Sequence, residues 1–90
     1  MHVPADSKIR PRTVLADYIN CRYRDGVITL SADVCMMDLT LSITDEFTGE
    51  TSRFYLMDMS QPVPVTLASG SYYIVCETSG VRYEGVLLIP

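Results

Sequence analysis

An all-β domain built as an antiparallel two-sheet sandwich, with about seven strands and Greek-key connections, is what this sequence predicts. Three observations predict it. Apolar side chains recur at every second position over most of the chain, and turn formers break that pattern every eight to twelve residues. No segment has the three-to-four-residue apolar spacing of an amphipathic helix. A single sheet would leave its apolar face in water, so a second layer about 10 Å away is needed to cover it. A small, partly open barrel is the alternative architecture.

The chain has 90 residues, which bounds it to one domain with a thin core, and 48% of them are apolar, enough to fill that core without a metal or a disulfide framework. This length excludes doubly wound dinucleotide folds and (β/α)₈ barrels. Residues 1–12 hold Pro4, Pro11 and the charged Asp6, Lys8, Arg10 and Arg12. They read as an extended N-terminal arm whose basic part is the solvated entrance to the first strand, leaving residues 13–90 as the single sandwich domain.

The first strand is expected over residues 14–19, continuing through 21–24. Asp25 and Gly26 supply a tight turn, because Gly accepts positive φ and Asp can bond its own backbone. The second strand, residues 27–32, puts Ile28, Leu30 and Ala32 on one face. In residues 37–44 Met37, Leu39, Leu41 and Ile43 alternate with Asp38, Thr40, Ser42 and Thr44, the pattern of a half-buried strand. After the connection 45–49, residues 50–57 return as its hairpin partner, with Phe54 and Leu56 inward and Arg53, Tyr55 and Met57 outward. Residues 63–67 form a strand that Pro62 and Pro64 confine to an edge. In residues 72–78 Tyr72, Ile74 and Cys76 lie opposite Tyr73, Val75 and Glu77. Ser79 and Gly80 turn the chain into the last strand, Val81–Ile89, where Gly85 permits a bulge or a close neighbour.

The series RDGVITLS, MMDLTLSITDEFTGE, PVPVTLASGSYYIVCETSG and YEGVLLIP resembles a family of small immunoglobulin-like domains of unknown function, found mainly in secreted or envelope proteins of Bacteroides-type gut bacteria. The matching positions are Asp25 and Gly26, residues 43–49, residues 67–72 and residues 83–89. The resemblance covers about residues 8–90. It implies an immunoglobulin-like fold and an extracytoplasmic location, periplasm or cell surface, reached by a signal peptide removed from this chain. A cytoplasmic location is the other reading, since the first residues hold no apolar signal core. The family brings no catalytic or ligand-binding residues.

The chemistry-bearing residues are few. His2 is the lone histidine and lies in the arm, where a thiol–histidine site has no support. Cys21, Cys35 and Cys76 lack zinc spacing and read as small buried or half-buried hydrophobes, with one disulfide involving Cys76 as the alternative. Asp33, Asp38, Asp45, Glu46 and Asp58 fall near strand ends without a calcium-loop motif, so they read as solvated turn carboxylates. Glu77 and Arg82 are expected to face each other as a cross-strand ion pair. No catalytic residue, cofactor or metal is therefore expected, and the chain reads as no enzyme. A net charge of −4 argues against nucleic acid, and no apolar run is long enough to span a membrane.

Tyrosine is in excess, six against two Phe and no Trp. Tyr72 and Tyr73 are adjacent and must point to opposite faces, one into the core and one outward. Tyr73, Tyr55 and Arg53 are the candidate partner-binding residues. The expected function is a non-enzymatic protein-interaction or adhesion module at the cell envelope. The alternatives are a carbohydrate-binding module, which needs two exposed tyrosines close enough to flank one sugar, and a small structural or accessory domain. A weak homodimer through an edge strand is also expected, with Val81–Ile89 as the candidate edge.

Overall fold

Period-two alternation does set the secondary structure, as seen in a computed structural model that describes residues 5–11, 18–33 and 35–90. The strands are β1 (Ala5–Pro11), β2 (Ile19–Arg24), β3 (Val27–Ser31), β4 (Met37–Asp45), β5 (Thr51–Asp58), β6 (Val63–Pro64), β7 (Gly70–Thr78) and β8 (Val81–Ile89). There is no helix among the described residues. The expected strand over residues 14–19 falls mostly outside the described residues, as do His2 and Arg12, and its continuation is β2.

The expectation of seven strands in two separate sheets is corrected. Among the described residues eight strands follow one another in a single antiparallel order, β5-β4-β7-β8-β1-β2-β3-β6. The reason is β1, which lies in the segment read as an arm. Its first part pairs with β2, from Ala5 opposite Tyr23 to Ile9 opposite Ile19, and its end pairs with β8 through Arg10 and Pro11. A strand shared in this way laces two layers into one. Laid flat, a single sheet would be only about 10 Å thick, the spacing of one layer. The molecule measures 32 × 23 × 22 Å, so the sheet is rolled into a nearly closed barrel around its core.

Both two-residue turns have the conformation their residues suit. Asp25 and Gly26 have φ of 52° and 76°, and Ser79 and Gly80 have 50° and 75°. Two successive positive φ values match the twist of the flanking strands. The strand expected over 63–67 is shortened to Val63–Pro64 and does lie at an edge, because proline cannot donate to a ladder. By contrast Val81–Ile89, the strand expected to offer a pairing edge, is interior, between β7 and β1.

The core collects inward residues from every strand: Ile9, Ile19, Cys21, Ile28, Leu39, Leu41, Leu56, Val63, Ile74, Cys76 and Leu87 are all essentially inaccessible. Tyr72 packs with them and donates its hydroxyl to the Ala68 carbonyl at 2.8 Å. One inward expectation fails. Met37 is 60% exposed, because Asp38 adopts φ 54° and interrupts the alternation between Met37 and Leu39. At Gly85 the close neighbour is Ile9, whose Cγ2 would lie 2.7 Å from an added Cβ.

Candidate functional site

β5, β4, β7 and β8 present one broad outer face, and their registers fix its rows. Tyr55, Thr40, Glu77 and Arg82 form one row; Arg53, Ser42, Val75 and Glu84 the next; Thr51, Thr44, Tyr73 and Val86 a third. Small hydroxyl side chains on β4 leave the middle low, while Arg53, Tyr73, Glu77 and Arg82 rise around it. The result is a depression of about 290 Å³ floored by Thr40, Ser42 and Thr44. Thr44 and Thr51 share a hydroxyl hydrogen bond of 2.8 Å across the two strands.

The three sequence-derived candidates share this face but not one spot. Tyr55 and Arg53 are exposed on β5, and Tyr73 is half-buried on β7. Tyr55 pairs with Thr40 and Tyr73 with Thr44, so the tyrosines lie two strands and four residues apart. At strand spacing and rise of about 4.8 and 3.3 Å, that separates them by roughly 16 Å. One sugar ring cannot touch both. Tyr55 donates its hydroxyl to Asp38 Oδ1 at 2.5 Å, and this hydrogen bond raises its pKa above the ordinary phenol value.

The charged groups are arranged unevenly. Glu77 and Arg82 stand directly opposite, as expected, at 3.8 Å, and Arg82 Nε is also 3.8 Å from Glu84. A pair as exposed as Glu77 and Arg82 contributes little stability and chiefly fixes orientation. Arg53 forms no ion pair with any described residue. Away from this face Asp6 pairs with Arg22 at 2.8 Å, and Lys8 and Arg10 lie over the Tyr18 ring at 4.9 and 5.5 Å.

Most of the carboxylates once considered for a cation are engaged one by one. Asp45 Oδ1 accepts from the Phe47 and Thr48 amides, Glu46 accepts from the Ser71 hydroxyl, and Asp58 Oδ1 accepts from both Ser60 N–H and Oγ–H. The Ser60 amide and hydroxyl hold Asp58 below the usual carboxylate range. Among the described residues no three His, Cys, Asp or Glu side chains gather in a group that could hold a metal ion.

All three cysteines are free thiols. Cys21 on β2 and Cys76 on β7 are buried, and burial pushes them up to about 12 and about 11. Cys35 is exposed, unlike the expectation of a buried or half-buried thiol, and its Sγ lies 3.6 Å from Asp58 Oδ1. A disulfide reagent at about pH 8 is therefore expected to titrate Cys35 alone in the native state and the other two only on unfolding. The fold holds protons that the unfolded chain releases from 9.0 upward. The contribution of these thiols to stability is thus intact below that value and is lost as pH rises through their folded values.

A second, larger hollow of about 890 Å³ lies at one end of the barrel, where Tyr23, Leu67 and Ile89 meet the turn at Asp25 and Gly26. Tyr23 accepts the Leu67 N–H at 3.0 Å there, which ties the 66–69 loop to β2. The hydroxyl floor on β4 was visible in the sequence as Thr40, Ser42 and Thr44. The end hollow was not, because it depends on where the 66–69 loop docks. No helix among the described residues is long and apolar enough to cross a membrane. Comparison with protein-family models, curated proteins and solved structures finds no match to this chain.

Proposed function

We propose that this chain is a non-enzymatic interaction module that binds a protein partner at the cell envelope through the outer face of β5, β4, β7 and β8. The observation that carries the reading is the composition of that face. It is broad, it displays Tyr55, Tyr73, Arg53 and Arg82 around a hydroxyl floor, and its exposed apolar groups include Met57, Val86 and Leu88. Tyr, Met and Arg are the residue types enriched where proteins meet. The central depression, about 290 Å³, is at the lower limit of clefts that enclose a small ligand. The roughly 16 Å between the tyrosines weighs against the carbohydrate alternative.

The finer architectural reading is an immunoglobulin-like sandwich whose two layers are joined by β1. Supporting it, non-consecutive pairs β3 with β6 and β4 with β7 bring the chain back and forth between the halves of the barrel, as Greek-key connections do. The envelope location rests on the resemblance in the turn motifs.

Binding of native protein to an envelope protein fraction, compared with Tyr73→Ala and Arg82→Ala, tests the functional reading. The expected result is saturable binding weakened about tenfold or more by either change. Arg82→Ala should melt close to the native protein, since substitutions at exposed positions shift stability little, and Tyr73→Ala, at a half-buried position, should still unfold in one cooperative transition. Binding indifferent to both residues, or retained only on a glycan array, overturns it.

A further inference from the structure

The two edges of the sheet are unlike. β6 closes one side with two residues, one of them a proline, a short edge that resists pairing. β5 closes the other with eight residues, Thr51–Asp58, and no proline. Among the described residues no strand pairs with its far side.

The ladder shows which backbone groups of β5 are left over. Asp45 N–H donates to the Glu50 carbonyl at 2.8 Å, so those two residues form a hydrogen-bonded pair. Hydrogen-bonded and non-hydrogen-bonded pairs alternate along an antiparallel ladder. In the observed register the even-numbered residues of β5 therefore bond to β4. Thr51, Arg53, Tyr55 and Met57 aim their N–H and C=O groups away from the sheet. The hydroxyl contact between Thr44 and Thr51 agrees, since side chains come closest in non-hydrogen-bonded pairs.

Only one two-fold register satisfies all four outward residues in both copies. It sets Thr51 opposite Met57 of the second copy and Arg53 opposite Tyr55, with Phe54 facing itself on the axis. The neighbouring registers place Arg53 against Arg53, a like-charge clash, or Tyr55 against Tyr55. In the favoured register the Arg53 guanidinium, which forms no ion pair among the described residues, meets the Tyr55 ring beside the Asp38 carboxylate that holds its hydroxyl.

We propose that β5 is a self-pairing edge through which two copies of this chain join antiparallel, with Phe54 on the two-fold axis and Arg53 of each copy over Tyr55 of the other. The dimer does not depend on the partner-binding reading, and it places two copies of the hydroxyl-floored face side by side. A single pair of strands buries less than a standard interface, so the dissociation constant is expected on the order of 10 µM to 1 mM.

Sedimentation equilibrium across that range, paired with amide hydrogen exchange, tests it. The expected result is a monomer–dimer equilibrium in which the amides of Thr51, Arg53, Tyr55 and Met57 exchange more slowly as dimer forms. Arg53→Pro removes one outward N–H without touching the bonds to β4, and it should abolish the dimer while the circular dichroism stays native. Arg53→Glu keeps the N–H and sets a carboxylate against Asp38, so it should weaken the dimer at least tenfold. A chain that stays monomeric at about 1 mM overturns the proposal. So does a dimer in which those four amides exchange freely, or one that both variants leave intact. A β5 edge occupied only by a strand from some other protein overturns it as well.

Discussion

Ile9→Ala is expected to destabilise the protein by about 2–4 kcal/mol, enough to lower the melting temperature by roughly 10–25 °C. Ile9 has no accessible surface; it stands opposite Ile19 on β2 and over Gly85 on β8. Truncating it leaves a cavity at the point where the two halves of the barrel are joined, and neither neighbour can move in without breaking its own ladder. Urea or thermal unfolding checks the value. The outcome is diagnostic because residues 5–11 can be read in two ways. If they were a solvated arm, the same change would fall within about 0.5 kcal/mol of silent.

That contrast shows where the sequence was legible and where it was not. Turns and faces are local properties. Asp25 with Gly26, Ser79 with Gly80, and the alternation through Leu39, Leu41 and Ile43 sit where their residues indicated. β1 carries almost no local signal: Ile9 is its one large apolar residue, set among charges and ending in Pro11. Its strand character comes from pairing, over Ala5–Ile9 with β2 and at Arg10 and Pro11 with β8, more than seventy positions away in the chain. The sheet order depends on that pairing, and with it the identity of the free edge. Once β1 covers β8, Val81–Ile89 is no longer an edge, and β5 and β6 are left as the two ends of the sheet.

The candidate site divides in the same way. That Tyr55, Tyr73 and Arg53 point outward followed from counting alternate positions. Their spacing did not, because it is set by which strands are neighbours and in what register. Met37 went astray for a purely backbone reason, the left-handed conformation of Asp38, which alternation alone cannot reveal.

Gly85→Ala is expected to be the second severe change, costing about 1–3 kcal/mol, for a reason opposite to a cavity. The new methyl would lie 2.7 Å from Ile9 Cγ2, 3.2 Å from its Cα and 3.3 Å from its Cβ. Part of this clash is with a side chain and part with backbone, and a double-mutant cycle separates the two. Replacing Ile9 by Ala removes Cγ2 but leaves Cα and Cβ in place. The double variant should therefore lose less stability than the sum of the singles, by about 0.5–2 kcal/mol, while remaining well below the native protein. Simple additivity would mean that β1 does not cross β8 at Gly85. The hinge between the two halves of the barrel would then have to be sought at another pair of residues.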